Sequence, residues 1–338
     1  MKEDSPLTIS IIVPVYNGGT NFSRCLDGLD KLQPPPLEIL VVADGCTDNS
    51  SQKAQQAGYE VLEITGPCGP AQARNQGASQ AKGDILFFVD SDVLLPSHTI
   101  KKVMEHFIHH PELAALIGSY DHDPGHSGLL SQYRNLLHHY THQQGCCQAS
   151  TFWGACGAIR AELFQEHGGF DPKYRAPSVE DIELGYRLKA NNLMISLDKS
   201  LQVKHLKTWT PMAMLSTDIF KRAMPWTELI LDSRQALNDL NVDTNNRTSI
   251  ILTFSLFIAL IFGLKLTVAF WAALSFAIAL IILNVPFYSF LINKRGLAFT
   301  LNCIPWHWLY FSSCGIGFLL GACKYALLKT LKTDSVRT

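Results

Sequence analysis

From Ile9 onward, short uncharged apolar runs alternate with stretches of mixed polarity. "ISIIVPVY", "LEILVVAD", "YEVLEI" and "DILFFV" have the length and the β-branched and aromatic content of strands. Helices are expected around 21–32, 49–57, 71–81 and 97–109, with Gly58 placed to end the second and a further strand in "LAALIGSY". Apolar runs with no polar alternation suit strands covered on both faces, so the pattern predicts an α/β fold with a mostly parallel central sheet. Ligands of such sheets sit beyond the carboxyl ends of the strands. Asn17, Asp44 and the pair Asp90 and Asp92 each follow a predicted strand end, so three strands aim polar groups at one rim.

Beyond Gly125 the rhythm changes. "HSGLLSQYRNLLHHYTHQQ" reads as an amphipathic helix, "ASTFWGACGAIR" as a strand, "PSVEDIELGYRLKANN" as a helix and "LMISLDKSLQVKHLK" as extended chain. Residues 212–240 mix Leu, Ile, Met and Trp with Lys and Arg, as a helix lying in a membrane interface does. Across 249–292 the one charged residue is Lys265. A spanning helix needs ~20 apolar residues, so this stretch predicts two spans joined near Lys265. A third is expected at 303–328, with Trp306, Trp308 and Tyr310 at interface level. Lys294 and Arg295 belong inside by the charge rule, yet three spans would put Lys329, Lys332 and Arg337 outside, so two or three crossings are expected. The resulting division is a cytoplasmic domain over 1–207, interfacial helices and linker over 208–248, an all-α membrane tail over 249–328 and a polar end over 329–338.

Composition adds limits rather than a direction. A net charge of −1 gives no global field to attract nucleic acid. Nine cysteines without a C-x-x-C pair fit reduced thiols in a cytosolic domain. The N-terminus has no apolar core of a cleavable signal, which keeps the soluble part on the cytoplasmic side and the chain in the cell membrane.

The candidate chemistry lies on the rim. Two close carboxylates repel unless a cation or a shared proton intervenes, and Mg²⁺ or Mn²⁺ takes one or two carboxylates plus phosphate oxygens. A turn or helix cap is the plain alternative for Asp90 and Asp92. Tyr16 can stack on a base and Asp44 can accept a hydrogen bond from it, unless they are a buried tyrosine and an Asx turn. Asp48 suits a helix cap. Arg74, in the first turns of a helix after a Gly-Pro turn, brings a cation to the same rim. His138, His139 and His142, like His106 and His110, have helical spacing and read as solvated faces.

These segments together resemble the glycosyltransferase family 2 enzymes, with the Rossmann-like GT-A fold, over residues 9–226. "SIIVPVYNGG", "ILVVADGCTDNS", "GPAQARNQGASQAKGDILFFVDSDV", "GACGAIRAELFQEHGGFD" and "VEDIELGYRL" occur in that family's order and spacing. The resemblance implies sugar transfer from a nucleotide sugar with inversion, aided by Mg²⁺ or Mn²⁺. It implies that Pro14, Tyr16 and Asn17 shape the base-binding edge, that Asp44 holds the base and that Arg74 approaches the donor. Asp90 and Asp92 would be the metal motif, with Asp92 on the cation. Asp181, with Glu180 beside it, would be the base, although "SVED" also matches a capping box that starts at Ser178. A helix N-terminus keeps a carboxylate ionised, which suits a base less well than a raised pKa. His205 would complete the metal site or touch pyrophosphate, and Arg222 and Trp226 are candidates for pyrophosphate or acceptor contact, or for the bilayer surface. Ala43 and Cys46 depart from the family's acidic-acidic-Gly-Ser pattern and loosen the identity of the base. The expected whole is a membrane-anchored transferase using a UDP-linked donor, the family's most frequent, and acting on a membrane-associated acceptor such as a polyprenyl-linked sugar or glycolipid. The alternative is a tethered nucleotide-sugar-binding module without catalysis. A dehydrogenase lacks its G-x-G-x-x-G here, and a transporter its repeats.

Overall fold

The computed structural model describes residues 7–233 and 238–335. Parts of the expected N-terminal segment, of the interfacial segment (234–237) and of the polar end, including Arg337, lie outside the described residues. The chain clusters into two compact units, one of the residues up to Ser127 with His142–Thr208, the other of Gly128–Thr141 with the residues from Trp209.

The first unit opens with β1 (Ile9–Val15), α1 (Gly19–Leu29), β2 (Glu38–Asp44), α2 (Ser50–Gln56), β3 (Glu60–Ile64), α3 (Pro70–Gln80) and β4 (Ile85–Val89). A two-residue β5 (Val93–Leu94), α4 (Thr99–His109) and β6 (Leu113–Tyr120) follow. After α5 (Leu129–Gln144), most of which belongs to the second unit, come β7 (Cys156–Arg160), α6 (Ala161–Glu166), α7 (Glu180–Ala190) and β8 (Met194–His205). One eight-stranded sheet runs β3-β2-β1-β4-β7-β6-β8-β5. Its first four strands are parallel, as the alternating pattern predicts. β7 then enters antiparallel between β4 and β6, while β6 and β8 pair in parallel, which makes the sheet mixed.

The period of two along each strand sorts the core into two layers. Ile11, Val13, Phe87 and Val89 face Phe22, Leu26, Val103 and Phe107 from the helices on one side. Ile12, Val42, Leu86 and Phe88 face Ala71, Ala73, Phe164, Phe170 and Leu184 on the other. Phe88 meets the rings of Phe164 and Phe170 at 5.2 and 5.1 Å. Both faces are covered, so both faces are apolar, and the polar residues of each strand collect at its ends.

The second unit is helical. α8 (Pro211–Ser216) is capped by the Thr210 hydroxyl, which accepts from the Ala213 N–H, and passes through a π-helical segment (Thr217–Ala223) into α9 (Met224–Ser233). A 3₁₀ turn (Leu240–Val242) precedes α10 (Thr244–Gly263), capped by Asp243. The helix expected across 212–240 is thus several pieces, the last described helical residue before the break being Ser233. α11 (Thr267–Leu283) and α12 (Val285–Arg295) meet at a bend of 62°. Pro286 lacks an N–H and restricts Val285, which favours the break at this point. α13 runs from Leu297 to Ser335 without interruption. α10 and α13 are long and apolar enough to cross a membrane, and the bent pair adds a third candidate if it counts as one span. Inside this unit Arg134 and Asp218 form a buried ion pair, both Asp218 oxygens accepting from the guanidinium, at 2.5 and 3.2 Å.

Candidate active site

The rim expected from the strand ends exists in the first unit. Tyr16, just past β1, is 55% exposed and free to offer its ring, while Pro14 lies within β1 opposite Val42. Asn17 takes a positive φ of 50° and its Oδ1 accepts from the N–H groups of Thr47 (2.8 Å) and Asp48 (3.2 Å). Asp48 in turn accepts from Ser50 N–H at 3.0 Å at the start of α2. Asp44, buried at the end of β2, commits one carboxylate oxygen to Cys68 N–H at 2.7 Å and the other to Gly69 N–H at 2.8 Å. It therefore shapes the loop that launches α3. Only glycine suits position 69: its φ is +94°, and a Cβ would stand 2.4 Å from the Arg175 carbonyl oxygen.

The chain turns after Val89, so Asp90 and Asp92 leave the strand before their side chains can share its face, and each carboxylate faces a different basic side chain. Arg74 on α3, 4% exposed, donates from Nη2 to Asp90 Oδ1 at 2.7 Å and from Nη1 to Glu180 Oε1 at 2.9 Å. Its Nε is buried with no hydrogen-bond partner, and Phe170 lies 5.3 Å from its Cζ. Gly154 makes room for it, since a Cβ there would come within 2.9 Å of Cζ.

α7 begins at Glu180 with Val179 as its cap residue and no side-chain cap, so the Ser178 capping box does not form. Instead Glu180 Oε2 accepts from Ser178 N–H at 2.9 Å. Asp181 accepts from Gly154 N–H (3.0 Å) and from Ile182 N–H (2.8 Å). Burial, then the adjacent Glu180 charge, push the Asp181 carboxyl up to about 6, against the pull of Gly154 N–H and Arg74. The helix N-terminus does not keep it low, because the like charge and loss of water outweigh it.

Asp92 faces His205, Nε2 to Oδ2 being 3.6 Å, longer than a hydrogen bond. The β5–β8 pairing sets this up by placing Val93 opposite His205, whose ring stacks on Tyr120 at 4.2 Å. Burial works to raise the Asp92 carboxyl, but His205 and Lys207 hold it below the usual carboxylate range. Among the described residues no three His, Cys, Asp or Glu side chains form a ready cation cage. The partly exposed Asp92 carboxylate and the buried His205 imidazole nevertheless offer an oxygen and a nitrogen to Mg²⁺ or Mn²⁺, which draw further oxygens from substrate phosphates. Asp90, with one oxygen tied to Arg74, has less to offer a cation than Asp92.

Arg222 and Trp226 belong to the second unit, where Arg222 Nη1 donates to His138 Nε2 at 2.8 Å and Trp226 is buried. Of the histidines read as solvated faces, His110 is exposed as expected, and others are placed differently. His139 and His142 are buried, against Phe290 and the edge of Trp153, and His106 contacts Asp198 at 2.9 Å. Helical spacing revealed that they share a face but not that the face is covered. The Gly154 N–H on Asp181 and the stacking of Tyr120 on His205 had no signal in the sequence beyond the glycine itself.

Residues 10–168 match the family described as glycosyl transferase family 2. The glycosyltransferase GlyG of Streptococcus pneumoniae is 33% identical over 117 residues, 33% of this chain and 38% of that protein. The first curated relatives are matched over 26–48% of their own lengths. Among solved structures, the mannosyltransferase PcManGT from Pyrobaculum calidifontis, in complex with GDP-Man and Mn²⁺, aligns with 96% of this chain and 88% of its own at TM-score 0.57 and 15% identity. S. aureus TarS 1-349, in complex with UDP-GlcNAc, aligns with 67% of this chain and 66% of its own at TM-score 0.52 and 21% identity. At these identities the likeness is one of fold, a GT-A-like α/β core.

Proposed function

We propose, from the match of residues 10–168 to the family described as glycosyl transferase family 2 and from the GT-A-like fold, that this chain is an inverting transferase attached to the membrane. It moves a sugar from a nucleotide sugar, UDP-linked by preference, to a hydroxyl of a membrane-associated acceptor such as a polyprenyl-linked sugar or glycolipid. The active site faces the cytoplasm, and α10 and α13, with or without the bent pair, form the anchor.

The observation that supports this most is the environment of Asp181. Its proton affinity is raised into the neutral range by burial and Glu180, which suits a group that must take a proton from an attacking hydroxyl. Gly154 N–H orients the carboxylate, while Arg74 limits the cost of keeping Glu180 and Asp90 charged beside it. As the acceptor oxygen bonds to the anomeric carbon from the Asp181 side, the diphosphate departs from the opposite face and the configuration inverts. Asp92 and His205 would hold Mg²⁺ or Mn²⁺, which supplies positive charge for the departing diphosphate. Tyr16 offers its ring to the base, and Asn17 and Asp44 keep the two loops beneath it in shape.

The test is to incubate the detergent-solubilised protein and Mn²⁺ with a panel of nucleotide sugars and membrane-lipid acceptors, measuring free nucleoside diphosphate. Release with one donor, abolished by chelator, is the expected result. Donor binding without release under any acceptor would support a binding module instead.

A further inference from the structure

The residues just ahead of β7 serve the site with their backbone. Gly154 N–H donates to Asp181, and the Ala155 carbonyl accepts from Asp90 N–H at 3.4 Å. α7 is pressed onto the same segment, since a Cβ at Gly185 would stand 2.2 Å from the Phe152 nitrogen. The side chain that anchors this turn is Trp153. It is half-buried and packs against both apolar layers of the sheet, whereas Phe152 beside it belongs to one layer alone.

From Trp153 the ring contacts lead to the other arm of the site. Tyr120, buried at the end of β6, meets the indole edge-on at 4.8 Å and 84°. The Tyr120 ring in turn lies on the His205 imidazole, the two planes 12° apart. His142 meets the same indole edge-on at 4.8 Å. A continuous series of contacts therefore runs from Asp181 through Gly154, Trp153, Tyr120 and His205 to Asp92, all within the first unit. Stacked and edge-on ring pairs have preferred angles, so each ring limits the tilt of the next. An aliphatic side chain at 153 would fill the space without setting the angle of Tyr120.

We propose that Trp153 is a positioning residue that couples the two arms of the site, holding Gly154 N–H on Asp181 and, through Tyr120, the His205 ring toward Asp92. This coupling rests on the reading in which Asp181 takes the proton and Asp92 with His205 holds the cation. A ring that merely filled the core would affect stability and leave cation affinity and turnover alone.

The full-length protein in detergent is titrated with Mn²⁺ alone, free Mn²⁺ being counted by electron paramagnetic resonance. Turnover is then measured at saturating Mn²⁺ with the nucleotide sugar that wild type uses. Trp153→Leu is expected to weaken Mn²⁺ binding about tenfold and to lower kcat about tenfold, with KM for the donor little changed. Tyr120→Leu, which cuts the His205 arm, is expected to weaken Mn²⁺ binding about tenfold and to lower kcat less than Trp153→Leu does. Trp153→Phe keeps a ring edge and should lose about threefold in each measure, which decides the matter if Trp153→Leu does not fold. Wild-type Mn²⁺ affinity or wild-type kcat in Trp153→Leu, full Mn²⁺ affinity in Tyr120→Leu, or a Trp153→Phe protein unchanged in both measures would overturn the proposal. If wild type releases no nucleoside diphosphate from any donor, the transfer reading falls by itself, and Mn²⁺ binding still decides the link from Trp153 to His205.

Discussion

Two buried arginines, one in each unit, have the same residue type, nearly the same burial and opposite chemistry. Arg134 is paired one to one: its terminal nitrogens meet the two oxygens of Asp218, between the rings of Trp209 and Tyr310 at 5.5 and 5.6 Å. Arg74 divides its terminal nitrogens between two carboxylates from different elements, Asp90 and Glu180, with Asp181 next along the chain. Both leave Nε buried without a hydrogen-bond partner. The closed pair is neutral and holds helices together. The outnumbered cation leaves a residual negative charge, and burial first, with that excess through Glu180 second, raises the proton affinity of Asp181. Unequal pairing, rather than burial, separates the reactive cluster from the structural one.

The largest effect should come from the acid at the centre of the contrast. Asp181→Asn is expected to lower turnover about 10²- to 10⁴-fold, with nucleotide-sugar affinity little changed. Asp218→Asn, in the closed pair, is expected to act on thermal stability first, since it strands Arg134. A wild-type rate from Asp181→Asn would erase the distinction.

Next come the arginines themselves. Arg74→Ala and Arg134→Ala should each destabilise the fold by ~3–5 kcal/mol, because each leaves buried carboxylate charge uncompensated. Replacing partners together sharpens the difference. Arg134→Met with Asp218→Leu should recover most of the lost stability in denaturant unfolding. Arg74→Met with Glu180→Gln should recover stability without recovering turnover.

The pH profile is a subtler probe. With Asp181 pushed up to about 6, turnover should rise with pH through that value and level off above it. Stability runs the other way. The folded state holds this proton more tightly than the unfolded chain, so the contribution is full below the unfolded value of 3.8 and is lost as pH rises through about 6. Glu180→Gln removes the second cause of the shift, so the rising limb should move to lower pH; a stationary limb would assign it to another group.

The smallest effect belongs to the supporting loop. Asp44→Ala strands the N–H groups of Cys68 and Gly69 and should cost ~1–3 kcal/mol, seen as a lowered unfolding midpoint and weaker donor binding.

Much of this molecule is local in origin. Strand length, apolar runs and glycine stops placed β1 to β4 and their helices from the chain alone, because a strand covered on both faces must be apolar throughout. The rim position of Asn17, Asp44, Asp90 and Asp92 came from the same rule, and the ordered motifs carried the family. The apolar stretches likewise revealed α10, α11 and most of α13. What spacing could not decide was any contact whose partner is far along the chain. The antiparallel entry of β7, the bond from Gly154 to Asp181, the sharing of Arg74 by Asp90 and Glu180 and the burial of His139 and His142 all join residues from different elements of the chain. A proton affinity or an ion pair depends on the whole set of neighbours and on the exclusion of water, and only tertiary packing supplies both.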